Sequence, residues 1–435
     1  MTPFRTLRNF LLSAMLAVVL TPCPLAAFDA GMQWGGHLKA LGDLRWPEAH
    51  AFPDVDPPAP LTDGTLEFRL TQLTSLPWAI DLETHYEAIC HGGDGVRNAR
   101  MVDLAMPGTP LPLPLPDPDR LDRRRLMDLT ATLDTGSSHI CYHRLDRLNL
   151  TVLPDWGMVR VGRQAVTWGD GFVFNPMDLF NPFAPTDIER DYKTGDDMAL
   201  TQVLFENGDD LQALVAPRRD PETGDVSSDH QSLAVKAHIR IGGRDLDLMA
   251  SRHYRDVVGG WGLSGYAGDA AWRINATWTD LDHPAARRDD YLSLVANVDF
   301  SWVWWQHNFY GFVEYYFNGL GDTDYPAALA DPAVVERIDR GELFVLGKNY
   351  LTGQLQAEVH PLFNLFFNVI LNAADPSAVM QAWGQWDAAE NLRVVVGAKL
   401  AAGADGTEFG GFDLPETGIR IGVADTVYSR ITLFF

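Results

Sequence analysis

The sequence predicts an all-β transmembrane antiparallel β-barrel with an even number of strands, about 16–20. Three observations predict it. The first segment carries Arg5 and Arg8 without an acid, an apolar run from Phe10 to Leu20, and small residues up to Ala27. That is the pattern of a signal peptide, with cleavage expected after Ala27. Beyond it, segments of roughly ten residues alternate apolar and polar side chains, the period of a strand with two unlike faces. The chain then closes on Phe434 and Phe435, where soluble proteins usually fray into polar residues.

Residues 1–27 therefore form the export signal and 28–435 the barrel. The apolar run is too short to span a bilayer as a helix, and no uncharged apolar stretch of about 18 residues follows. In "AWRINATWTD", Trp272, Ile274, Ala276 and Trp278 share one face and Arg273, Asn275, Thr277 and Thr279 the other. "SLAVKAHIRI" sets Leu233, Val235, Ala237, Ile239 and Ile241 against Lys236, His238 and Arg240. "WAIDLETHYEA" and "LTGQLQAEV" repeat the pattern, as do segments near 64–74, 124–134, 144–153, 198–206, 244–254, 290–301, 308–318, 363–373, 391–401 and 425–435. Such segments exceed the usual strand of about five or six residues and suit a tilted membrane-spanning strand. Aromatics crowd their ends, as in "SWVWW" at 301–305 and "EYYF" at 314–317, where girdles are needed.

"NGDD" at 207–210 and "GG" at 242–243 are tight hairpin signals. With the last strand running down to the periplasm, the long connections 168–197, 217–230, 281–290, 319–349 and 402–424 fall outside. The short turns at 154–156, 207–209, 242–243, 268–270, 360–362 and 387–390 fall inside. Parity requires one more strand, assigned to "RMVDLAM" at 100–106. Within 319–349, Asp331 as N-cap, Pro332 at the first helical position and Gly341 as the stop predict a short helix. Val427, Ile431, Leu433 and Phe435 form the lipid-facing set of the closing strand, which must pair with the first because an open edge in lipid is costly.

The stretch "VRVGRQAVTWGDGFVFNPMDLFNPFAPTDIERDYKTGDD" at 159–197 resembles a signature of Gram-negative porin-like outer-membrane proteins. "EYYFNGLG" at 314–321 is similar to a second motif of that group. The resemblance covers most of the chain after the signal. It implies an outer-membrane barrel that forms a pore or export channel, without naming a solute.

The segment 168–197 is too long for mere linkage. Its Phe172, Phe174, Phe180 and Phe183 need burial that lipid cannot give to irregular backbone, so the loop is expected to fold into the barrel mouth. It carries Asp170, Asp178, Asp187, Glu189, Asp191, Asp196 and Asp197 against Arg190 and Lys193. Fixed negative charge in a narrow passage favours cations. Trp168, Glu314 and Asn318 complete the expected constriction. Arg163 would join it if a bulge at Gly162 turned its side chain inward. A structural salt bridge at Arg163 is the competing reading. The lumen set includes Lys236, Arg240, Asp245, Asp247, Arg273, Glu358, Asn364, Asn368 and Asn372. Cys90 and Cys141, in an oxidising compartment, are expected in external loops at one barrel end, where a disulfide could join them.

A net charge of −24 argues against nucleic acid. No HExxH, GxSxG, P-loop, GxGxxG or CxxC pattern follows the signal, so no enzyme, metal or cofactor is expected. The expected function is passage of small solutes, with cations preferred. The expected partners are those solutes, outer-membrane lipids, and the barrel-assembly machinery reading Phe435. A dedicated export or lipid-handling barrel is the first alternative. A barrel hydrolase is the second, with Ser264 and His253 the pair to examine.

Overall fold

The computed structural model describes residues 31–46, 60–105, 118, 122–182, 185, 192–415 and 419–435. The expected signal peptide lies outside them. The first strands are β1 (Met32–Trp46), β2 (Leu61–Leu76), β3 (Ile80–Gly93), β4 (Thr130–Gly136), β5 (His139–Val152), β6 (Gly157–Gln164) and β7 (Asp196–Leu204). Next come β8 (Asp210–Ala216), β9 (Ser232–Ile241), β10 (Arg244–His253), β11 (Asp256–Ala267), β12 (Ala270–Asp280), β13 (Asp290–Trp304) and β14 (His307–Asn318). The last are β15 (Asn349–His360), β16 (Phe363–Asn372), β17 (Ser377–Ala389), β18 (Leu392–Ala402), the short β19 (Phe412–Asp413) and β20 (Arg420–Ile421), and β21 (Asp425–Phe434). Among the described residues three helices, α1 (Asp94–Ala105), α2 (Tyr325–Leu329) and α3 (Pro332–Asp339), sit in connections.

Eighteen strands close an antiparallel barrel. β4, β19 and β20 lie outside the wall; β4 pairs only with the outer end of β5. β1 pairs with both β2 and β21, so no wall edge is left, as a strand surrounded by lipid requires. Among the described residues no helix is long and apolar enough to cross a membrane.

The alternation read from the sequence decides the faces. On β16, Leu365 and Phe367 are exposed outward while Asn364, Phe366, Asn368, Ile370 and Asn372 turn inward. On β21, Val427, Ile431 and Phe435 face out and Thr426, Tyr428 and Thr432 are buried within. Exposed aromatics gather at the turn end: Trp78, Trp156, Tyr266, Trp304, Trp305 and Trp386. The long connections lie at the opposite end, and the helix at 332–339 is capped by the Asp331 side chain accepting from the Ala333 N–H, with Gly341 at φ +70° behind it.

Two assignments change. Residues 100–105 are helical, in α1, and the strand that restores parity is β1. Gly35, Gly36 and Gly42 dilute its alternation, which is why the period is faint there. Of the expected strand at 124–134, residues 130–134 are strand, as part of β4, while 124–129 are irregular.

Cys90 and Cys141 lie on strands rather than in loops. They face each other directly across β3 and β5, with Cα atoms 4.1 Å apart and a disulfide between them. The bond closes a loop with a sequence separation of 51 residues, for which loss of the crosslink costs about 2–4 kcal/mol. A Cys90→Ser/Cys141→Ser double variant is expected to lose its heat-modifiable folded form several degrees earlier, roughly what that cost implies. Mass spectrometry of the unreduced protein should find no free thiol at either position.

Candidate functional site

The segment between β6 and β7 crosses the barrel interior. Its first part is apolar where it meets apolar wall. Val166, Trp168, Met177 and Phe180 pack with Met198, Leu200, Leu214, Ala216, Ala234, Met249 and Val258, inward residues of β7 to β11. The Trp168 indole N–H donates to Gln212 Oε1 at 2.7 Å. Gly169 at φ +82° turns the chain, and the Asn175 amide closes the turn on the Trp168 carbonyl. No side chain other than hydrogen fits well at that φ.

The tip reaches the far wall. Glu314, inward on β14 and fully buried, accepts the backbone N–H groups of Phe172, Val173 and Phe174 at 2.6, 3.1 and 2.9 Å. Phe172 stacks on Phe312 and Phe174 on Tyr316, with centroids 4.5 and 4.4 Å apart. Asn297 on β13 donates to both Glu314 Oε2 and the Asp170 carbonyl. The carboxylate thus bonds consecutive amides that no helix or ladder satisfies. The Arg273 guanidinium lies 4.9 Å from the Phe172 ring centroid.

The returning part is held by charge. Lys193 Nζ lies 2.6 and 2.8 Å from the two Asp178 oxygens and donates to the Val166 carbonyl at 2.5 Å. Burial pushes Asp178 up to about 6, and the facing ammonium opposes the shift. Burial, and next the nearby Asp247 carboxylate, raise Asp170 above the usual carboxylate range. Tyr192 donates to Glu67 at 2.7 Å and lies under the Arg69 guanidinium. Glu67 also pairs with His37 and Lys39, while Arg69, Glu87, Arg144, Asp146 and Arg147 continue the buried ion-paired ladder on β2, β3 and β5.

Arg163 does not line a passage. Neither ladder of β6 shifts register at Gly162, so the bulge is absent. The guanidinium, with none of its surface exposed, pairs with Asp197 at 2.8 Å and Asp122 at 2.9 Å under the segment that precedes β4. That segment covers a side chain whose parity alone would put it in lipid. Asn318 is no constriction residue either: it donates to the Gly347 carbonyl and accepts from the Leu320 N–H, fixing the long connection after β14. Trp168, Asp178, Lys193 and Glu314 are buried anchors of the crossing segment. Asp187, Glu189, Arg190 and Asp191 lie outside the described residues.

Ser264 and His253 are not brought together; their register partners are Asp245 and Asp256, at opposite ends of the β10–β11 pair. His253 bonds Ser232 at 2.9 Å and Glu342 at 2.9 Å instead. Ser232 is fully buried and accepts from Arg218 at 2.6 Å. Among the described residues no group of three or more His, Cys, Asp and Glu is placed to hold a metal ion.

The residues that sequence reasoning missed are Asn297, Tyr192, Glu67 and Arg69. Inward parity was the only local signal for Asn297, Glu67 and Arg69, and many lumen residues share it; Tyr192 lies in the irregular segment and had none.

No protein-family model and no curated protein sequence matches this chain. Solved structures do. OccAB3 of Acinetobacter baumannii aligns over 94% of this chain and 100% of its own, with a TM-score of 0.51 and 8% identity. A BenF-like porin from Pseudomonas fluorescens Pf-5 covers 94% and 100%, with a TM-score of 0.50 and 11% identity. Wzi of Escherichia coli, an outer-membrane carbohydrate-binding β-barrel involved in capsule assembly, covers 92% and 84%, with a TM-score of 0.50 and 9% identity. The barrel shares the fold of these Gram-negative outer-membrane proteins.

Proposed function

We propose that the protein is an outer-membrane channel for small polar solutes, narrowed by the segment between β6 and β7 and preferring cations. One observation carries this reading: the segment spans the interior from β6 to β14 and is pinned there by Glu314. A crossbar set inside a barrel narrows the solvated passage around it, and charge at the narrowest point sets selectivity. The porin fold of OccAB3 and the BenF-like protein supports the reading.

The charge argument is narrower than residue counts suggest. Asp178, Asp196 and Asp197 are each paired, with Lys193, Arg218 and Arg163. The preference then rests on Asp170, Asp187, Glu189 and Asp191, within a chain of net charge −24. Reversal potential in a salt gradient across a planar bilayer tests it. A cation-selective sign is expected, weakening in about 1 M salt, where screening shortens to about 3 Å. Asp187→Asn, Glu189→Gln and Asp191→Asn together should move the potential toward zero; an unchanged potential places the filter elsewhere.

A second reading is a barrel that handles an exported polymer without conducting ions. The dense burial between the crossing segment and the wall favours it. Folded protein that inserts yet shows no conductance decides for this reading.

A further inference from the structure

The inner wall is chemically divided. The β1, β2, β3 and β5 sector carries ionised side chains that neutralise one another. A nearby sector, β15 to β18, separated from the first by β21, carries chiefly amides and aromatics, with Lys399 on β18.

Pairing registers place these residues in rows across the strands. One row runs Gln354, Asn368, Gln381. The next, two residues nearer the turns, runs Tyr310, Gln356, Phe366, Trp383, Gly397, Tyr428. Below it Asn364 pairs with Gln385. An aromatic row is thus flanked by amides on both sides. Phe366 and Trp383 stack with centroids 4.8 Å apart. Gly397 makes room for the ridge, since a Cβ there would stand 2.6 Å from the Tyr428 ring and 2.7 Å from Trp383 Cβ.

This sector lies below the crossing segment, whose Phe174 packs in one cluster with Ile370 and Val379, just above Asn368 and Gln381. Gln354, Gln356, Asn364, Phe366, Asn368, Gln381, Trp383 and Gln385 all keep part of their surface accessible. Gln381 donates to the Tyr428 hydroxyl at 2.9 Å, and Gln356 to Asn364 at 3.3 Å. Among the described residues the Asn368 Oδ1 is a buried acceptor without a hydrogen-bond partner. Buried polar atoms in native structures usually have a partner.

We propose that this ridge binds a neutral oligosaccharide. A carboxamide presents an N–H donor and a carbonyl acceptor side by side, which matches neighbouring sugar hydroxyls. The apolar C–H face of a pyranose packs on an aromatic surface, as other apolar groups do. The Gln354–Asn368–Gln381 and Phe366–Trp383 core itself carries no formal charge, with Lys399 next to Gln381 in the same row. It offers a polyhydroxylated ring both kinds of contact. The inference rests on the channel reading only for how the solute arrives.

The test is titration calorimetry of detergent-refolded protein with maltotriose and cellotriose, beside sugar block of ionic current in planar bilayers. Binding of at least one sugar is expected, with block at similar concentrations. Trp383→Ala and Asn368→Ala should each weaken binding about tenfold, the loss of roughly one good contact. Heat-modifiable migration confirms that each variant is folded; if Trp383→Ala fails to fold, Asn368→Ala decides. Absence of binding by both sugars to folded wild-type protein overturns the proposal, as does equal binding by wild type and folded variants. Binding without conductance upholds the site and removes the channel reading instead.

Discussion

Deletion of Phe435 is expected to abolish assembly, lowering the yield of heat-modifiable folded barrel by about tenfold or more. The Phe435 N–H donates to the Gly36 carbonyl at 3.1 Å, and its carbonyl accepts from the Gly36 N–H at 3.0 Å. These bonds begin the β1–β21 seam, which joins the first strand of the wall to the last. Gly36 has no side chain there because a Cβ would stand 2.2 Å from the Arg69 carbonyl oxygen and 2.7 Å from the Phe435 ring. The ring points outward, stacked against Phe68 on β2. Deletion removes the ring and leaves donor and acceptor at Gly36 unpaired at the membrane boundary, each costing about 1–3 kcal/mol. Phe435→Asp keeps the backbone but places a charge among Phe68 and lipid, and should fail similarly. Normal folded yield of both variants would show that closure does not depend on this residue.

Glu314→Ala should release the crossing segment. Each bond from a backbone N–H to a carboxylate contributes about 1.5–3 kcal/mol, and Phe172, Val173 and Phe174 would lose theirs together. The β14 ladders do not involve the side chain, so folded yield should hold. The expected signature is higher single-channel conductance with new protease cleavage between residues 165 and 195. Glu314→Gln retains one acceptor oxygen and should lie between. Unchanged conductance and protection in Glu314→Ala would mean that the ring stacking of Phe172 and Phe174 holds the tip unaided.

The sequence by itself determined the fold class, the faces of most strands, which connections are long and share one barrel end, the capped helix after Asp331 and the pairing of the final strand with the first. These follow from local rules: a period of two, turn residues at hairpin tips, a cap before a proline. β1 escaped because three glycines blurred its period, and α1 was read as a strand because parity demanded one somewhere nearby. The tertiary structure alone decided the partners of the charges. Arg163 sits on an outward position of β6, yet Asp122 from another connection covers it. Asp196 is silenced by Arg218, across the next external loop, and Glu314 meets amides 142 residues earlier in the chain. Barrel closure brings such groups together, and closure is a property of all eighteen strands at once. An acid count along one loop therefore overstated its free charge, because Lys193 within it and Arg163 and Arg218 on neighbouring segments neutralise Asp178, Asp197 and Asp196.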